Sequence, residues 1–236
     1  MAEPRLLHNR FGTKIITVEV DQNPARQTFT VHENLIRKSS AFFEAALGRG
    51  WTEARDRVVK LPEYSARAFE LYMNWLYTSR PHYKDPHGMS LAEAESSWCD
   101  LLESYLLGDY LQDANFKDIT IDSMLRWMHD CEVKSCHIPA IFSVKTYERT
   151  GDGSPLRTLL VGFSAWSLYM AFIKSLEDIE SRIECPRLFL RDLVSRVANI
   201  ARERTQPSSP YGQHNGTCHY HCHGKGPCYK AEDATL

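Results

Sequence analysis

No apolar run in the chain approaches the roughly 18 residues that a membrane-spanning helix needs. The opening Met-Ala-Glu-Pro-Arg-Leu-Leu-His-Asn-Arg lacks the apolar core that a secretory signal carries. An excess of positive charge is also missing: 28 Lys and Arg against 30 Asp and Glu leave a net charge of −2. Without a basic face there is no electrostatic case for a nucleic-acid partner. Motifs that announce a reaction are absent too. There is no Gly-x-Ser-x-Gly elbow, no phosphate-cradling glycine loop and no His-Glu-x-x-His, so the chain reads as a non-enzyme. No period of a solenoid or propeller recurs. Cysteine is present in an odd number, seven, with Cys99, Cys131, Cys136 and Cys185 scattered and Cys218, Cys222 and Cys228 crowded near the C-terminus. With no signal segment, these read as reduced thiols of an intracellular protein, cytoplasmic or nuclear, and not as a disulfide framework.

What the chain does have is ordinary globular material, 43% apolar and 25% charged over 236 residues, enough for one domain and a smaller second unit. The organising stretch is Thr28 to Phe43. Its first half alternates, with Phe29 and Val31 on one side and Thr28 and Thr30 on the other, as in a half-buried strand. Its second half changes period. Leu35, Ser39, Phe42, Phe43 and Ala46 lay one stripe along a helix expected over about 34–47. Upstream, Ile15–Val20 is β-branched and Asp21-Gln22-Asn23-Pro24 supplies turn chemistry, so a hairpin should lead into that helix. Val58–Pro62 reads as a short strand. Ser65 then caps a helix whose stripe is Phe69, Tyr72, Met73, Leu76 and Tyr77. After a polar loop at 78–90, Trp98, Leu101, Leu102, Tyr105 and Leu106 form one helical stripe. Phe116, Ile119, Ser123, Met124 and Trp127 form another, with Asn115 as its expected cap. Further helices are expected around Ile138–Lys145, from Ser154-Pro155 through Leu156, Leu159, Leu160, Phe163 and Ser167, and from Pro186 through Phe189, Leu193, Val197 and Ile200. From Thr205 the composition becomes that of a linker.

Several of these pieces resemble the BTB/POZ family, in order and spacing. Phe29, Val31, His32, Leu35, Ser40, Phe42 and Phe43 fit its strand–His–helix core. Val59, Leu61, Pro62, Phe69 and Trp75-Leu76-Tyr77-Thr78 fit its next strand and helix, with Ser79 where the family often has glycine. Leu102, Tyr105, Leu107, Gly108, Asp109, Tyr110 and Leu111 fit a later helix. Trp51, Glu53, Tyr147-Glu148 and Ser154-Pro155-Leu156-Arg157 resemble a fungal branch of the family. The resemblance implies an α+β chain: a BTB/POZ domain at 12–128, a small β-sheet packed on a helical cluster. An all-α region at 135–204 and a linker with a Cys/His-rich tail at 205–236 follow. It makes His32 part of the core architecture, which agrees with the usual fate of a histidine at a strand-to-helix junction. Asp109 reads either as the partner of a basic residue or as a helix-surface carboxylate.

The one dense cluster of ligand-type residues is in the tail. Cys218, His219, His221, Cys222, His223 and Cys228 lie within eleven residues, on a glycine- and proline-containing segment that cannot order itself by burial. A tetrahedral Zn²⁺ would order it, since metal binding can supply folding free energy. The residues alone leave this beside two other accounts, a disordered tail with incidental thiols and a redox-sensitive or disulfide-forming one. Their spacing matches neither a two-Cys two-His finger nor the common knuckle. Resemblance to a Cys-x-Tyr-His-x-His…Cys-Tyr tail of the fungal branch selects Cys218, His221, His223 and Cys228 as the metal set. A catalytic zinc is not expected, because nothing nearby supplies an open position or a general base.

The functional expectation is therefore a protein-interaction module. The BTB/POZ resemblance implies self-association as a homodimer and, in many members, recruitment to a cullin-type ubiquitin ligase scaffold as substrate adaptor. The alternative is a zinc-dependent regulatory or nucleic-acid-associated protein that reads its target through the Cys/His cluster. The short supply of basic residues there, Lys225 and Lys230, weighs against it.

Overall fold

The computed structural model describes residues 11–22, 24–48, 52–80, 83–133, 141–166, 186–207, 209–210, 216–224 and 226–230. The expected lead-in up to residue 10 and the residues Asn23, Trp51, Ile138, Ser167, Cys136, Cys185 and Lys225 lie outside them. The chain is mixed α+β, mostly helical with one small sheet. It divides into two compact units, one of residues 1–82 and 103–120, the other of 83–102 and 121–236.

In the first unit, β1 (Ile15–Val20) is the central strand of three, in the order β2-β1-β3. It pairs antiparallel with β2 (Gln27–His32), Ile15 opposite His32 and Val20 opposite Gln27, which is the expected hairpin. Its other edge pairs in parallel with β3 (Val58–Leu61), Val18 opposite Val59. A parallel partner requires a crossover, and the helices between β2 and β3 provide it. Alternation decides the buried face. Ile16, Val18 and Val20 are at most 1% exposed, together with Val31, Val59 and Leu61 of the flanking strands. Each such aliphatic side chain contributes about 1.5–3 kcal/mol by leaving water.

The helix expected over 34–47 is two helices. Both α1 (Glu33–Ser39) and α2 (Ala41–Ala46) are regular, but Ser40 between them is extended, with φ −119° and ψ 120°. The reason lies in its hydroxyl. Ser40 Oγ donates to the carbonyl of Leu111 at 2.6 Å and accepts from the Phe43 amide at 3.2 Å, so it caps α2 instead of continuing α1. A five-residue helix α3 (Thr52–Asp56) precedes β3. Helix α4 (Ala66–Thr78) starts where expected, with Ser65 Oγ accepting from the Ala68 amide at 3.2 Å. It ends on Ser79 in the left-handed region, φ 54°, a conformation that glycine adopts more readily. His32 is satisfied: its Nδ1 lies 2.7 Å from Tyr77 Oη, and its backbone amide donates to the same oxygen.

Two long helices follow, α5 (Leu91–Tyr110) and α6 (Ala114–Val133). The cap of α6 is not Asn115. Asp113 Oδ1 accepts from the Phe116 amide at 2.9 Å, while Oδ2 accepts from Tyr72 Oη at 3.1 Å and from Ser39 Oγ. Asp109 pairs with Lys117 at 2.5 Å on the surface, the two expectations for it being the same contact. In the second unit, Trp98 and Trp127 are fully buried with ring centroids 6.0 Å apart. Helix α7 (Ile141–Arg149), helical residues 155–166 (α8) and α9 (Arg187–Glu203) meet around Tyr147, Val161, Ala165, Phe189 and Leu193. Arg157 crosses the Tyr147 ring at 4.3 Å and donates to the Tyr147 carbonyl at 3.1 Å, so two of the residues that resemble the fungal branch are one contact. Val197, expected on the inner stripe of α9, is 42% exposed, because the buried face runs from Leu193 to Ile200.

One carboxylate joins sheet and helix in the first unit. Glu33, 6% exposed, accepts from Arg57 Nη2 at 2.7 Å and from Arg37 Nη1 at 3.0 Å. The Arg57 hydrogen bond is the largest influence, and with Arg37 it outweighs burial to hold the Glu33 carboxyl below its ordinary range. A depressed native value means that stability from this group is present above its unfolded pKa and is lost as pH falls through the native one. Glu33→Gln should therefore cost about 2 kcal/mol in urea unfolding at neutral pH. The difference from the parent should shrink as the pH is taken below about 4; a constant difference across that range would refute the assignment.

Candidate metal centre

Among the described residues of the C-terminal segment, the regular structure is a 3₁₀ turn at Cys218–Tyr220 and helical residues 229–230. That turn, with Gly216 and Gly224 in positive-φ conformations on either side, folds the segment back on itself. The result brings together Cys218, His221, His223 and Cys228. One ligand atom from each lies within 4.8 Å of the others. These are the four residues that the sequence resemblance selects. His219 and Cys222 are not part of the group: His219 turns outward, its Nδ1 3.2 Å from the Gly216 carbonyl.

The donor set suits a thiophilic, imidazole-accepting ion. Two thiols and two imidazoles are a structural zinc set, and tetrahedral Zn–S and Zn–N bonds put ligand atoms about 3.3–3.8 Å apart. The pair Cys228 Sγ and His221 Nδ1, 3.6 Å apart, already has that spacing. The fit is tested most directly by His223. Both of its ring nitrogens are buried, and among the described residues neither has a hydrogen-bond partner. Leaving a buried polar atom unpaired costs about 1–3 kcal/mol, so a ring placed this way requires an acceptor of its lone pair. Burial pushes the Cys228 thiol up, so a thiolate there would need the charge of a cation beside it.

The rest of the site was not legible in the tail. His221, whose side chain is fully buried, points Nε2 at Asp122 Oδ1 on α6, 3.2 Å away and 99 residues earlier in the chain. The second oxygen of Asp122 accepts from Tyr229 Oη and lies 2.7 Å from Lys230 Nζ. Burial alone would raise the Asp122 carboxyl, but hydrogen bonds from His221, Lys230, Thr217 and Tyr229 together hold it well below the ordinary carboxylate range. Lys230 also donates to Thr217 Oγ1 at 2.7 Å. On the other side, Tyr220 is buried over Gly162 of α8, where a Cβ would come within 3.0 Å of the phenol oxygen. Nothing in the sequence around Asp122 or Gly162 signals these roles, since both are ordinary positions in helical stripes.

Comparison with known proteins adds one partial likeness. Over 81 residues the chain is 31% identical to the human Kelch repeat and BTB domain-containing protein 8. The matched stretch is 34% of this chain and only 13% of the human protein, a likeness to a BTB-containing protein that leaves most of that protein unmatched. No family model matches. Among the described residues, no helix is long and apolar enough to cross a membrane.

The close approach of Tyr220 and Gly162 gives a test of how the tail is seated. Gly162→Val should displace the phenol and increase cleavage of the 205–230 region in limited proteolysis, with the sites in residues 11–80 unaffected. Unchanged cleavage would mean that Tyr220 does not hold the tail on α8.

Proposed function

We propose that the chain is a non-catalytic protein–protein interaction module of the BTB/POZ type. Residues 12–128 form the BTB region, residues 135–204 a helical extension, and residues 205–236 a linker and Cys/His tail. The observation that carries this reading is the 31% identity over 81 residues to a protein whose name includes a BTB domain. Support comes from the three-stranded sheet feeding directly into helices, from the hydrogen bonds of His32 to Tyr77 and of Ser40 to the Leu111 carbonyl, and from the burial of Phe43 and Phe69. On this reading the partners are proteins: a second copy of the chain, and a cullin-type ubiquitin ligase scaffold for which the chain serves as substrate adaptor. Among the described residues Cys99, Cys218, Cys222 and Cys228 are free cysteines, and on this reading an intracellular setting keeps them so.

The tail belongs to the same reading as a structural zinc site, with Cys218, His221, His223 and Cys228 as ligands. The ion would supply a crosslink within a segment too polar and too short to build a core. The buried ring nitrogens of His223 support this most strongly. The purified protein should carry one zinc per chain in native mass spectrometry and lose it to a chelator. Cys218→Ser and His223→Ala should each abolish the bound zinc; retention in both would discard the site.

The interaction role is tested apart from the zinc. Self-association in sedimentation velocity, and binding of a purified cullin N-terminal region in calorimetry, should survive deletion of residues 205–236. Loss of all binding on that deletion would move the activity to the tail and favour the zinc-dependent regulatory or nucleic-acid-associated reading instead.

A further inference from the structure

We infer that Asp122 of α6 is the positioning residue of the Cys/His centre, and that metal binding and the seating of residues 216–230 on α6 are a single coupled event. The inference rests on the structural metal site proposed above. It goes further by assigning a residue that no tail motif contains.

The argument starts from what a carboxylate can do. An ionised Asp only accepts hydrogen bonds, so His221 Nε2, 3.2 Å from Asp122 Oδ1, carries the ring proton. The lone pair is then on Nδ1, the nitrogen that faces Cys228 Sγ at 3.6 Å. Asp122 thereby selects the tautomer in which His221 is a ligand through Nδ1. Its other oxygen holds Tyr229, the neighbour of Cys228, and Lys230. Lys230 in turn holds Thr217, the neighbour of Cys218. Three of the four ligands are thus placed by one buried carboxylate, directly or through an adjacent residue. The fourth, His223, is the ligand whose ring nitrogens have no partner among the described residues. Charge is consistent with this arrangement. Two thiolates balance a divalent cation, and the ammonium of Lys230 balances Asp122.

The coupling follows from geometry. His221 cannot keep its hydrogen bond to Asp122 unless the tail lies on α6, and the four ligands cannot converge unless His221 keeps its orientation. Outer carboxylates of this kind are worth about 10–100-fold in metal affinity.

The test uses the full-length protein and zinc alone. Zinc affinity is measured by competition with a chromophoric chelator for the parent, Asp122→Ala, Asp122→Asn, Tyr229→Phe and Cys218→Ser. The His221 tautomer is read in the zinc-loaded protein by long-range ¹⁵N–¹H correlation, and tail protection by limited proteolysis with and without chelator. The parent should bind one zinc with His221 ligating through Nδ1, and chelation should expose residues 205–230. Asp122→Ala should bind about 10–100-fold more weakly while keeping one-to-one stoichiometry. Asp122→Asn, nearly the same size and so safe for the fold, should bind about tenfold more weakly, since its amide cannot accept from His221 and from both Tyr229 and Lys230. Tyr229→Phe, which keeps the ring packed beside His221 and removes only the hydroxyl held by Asp122, should weaken binding severalfold.

The failures separate. If neither the parent nor any variant binds zinc, the metal reading falls and this inference with it. If the parent binds and Cys218→Ser does not, the metal reading stands. Equal affinity in both Asp122 variants, ligation of His221 through Nε2, or a tail that stays protected after zinc is removed would then each overturn the role of Asp122.

Discussion

A carboxylate removed from water costs several kcal/mol unless donors surround it, and two of the carboxylates buried on or beside α6 gather theirs from distant segments. Asp113, at the start of α6, and Asp122, two turns further along, are 1% and 5% exposed. Each collects donors from segments far away in the chain. Asp113 takes them from Ser39, Tyr72 and the Phe116 amide, and so ties α1, α4 and α6 together within the first unit. Asp122 takes them from His221, Tyr229 and Lys230, and so ties the tail to α6 within the second. The requirement that buried charge be satisfied does the same work twice, once for a domain core and once for a candidate metal site.

The two cases differ in what else holds the segments. Around Asp113 the surroundings are a packed hydrophobic core, with Tyr72 against Phe116 at 4.8 Å and Phe29 against Phe69 at 5.0 Å. Those segments would meet without the carboxylate, which fixes how they meet. Around Asp122 the tail contributes few apolar groups besides Tyr220 and Tyr229. There the polar contacts and the proposed ion must provide most of the order, because two buried rings cannot offset the entropy of fixing some fifteen residues at about 1–2 kcal/mol each. A site built on this balance ties folding of the tail to the presence of its ligand.

Local signals could be read where one residue type had one physically dominant role. Ser65 was recognisable as a cap because an apolar stripe begins just after it, and Ser154-Pro155 because proline at a first helical position loses nothing. They failed where a side chain had a distant competitor. Ser40 sits in an unbroken helical stripe, yet its hydroxyl reaches the Leu111 carbonyl and breaks the helix. Asn115 is a good cap by type, but Asp113 is the one whose oxygen faces the Phe116 amide. Val197 belongs to the same stripe by spacing and still faces outward, since the surface it would cover is already met by Leu193 and Ile200.

By itself the sequence determined the periodicities: the alternating β1 and β2, the stripes of α4 to α6, and the crowding of Cys218, His221, His223 and Cys228 into one short segment. These follow from neighbours along the chain, where spacing alone decides which side chains share a face. Only the tertiary structure decided the parallel pairing of β1 with β3, the break at Ser40, and the choice of Asp122 and Gly162 to receive the tail. Those depend on which groups meet across long stretches of chain, and no local pattern encodes the partner of a buried hydrogen bond.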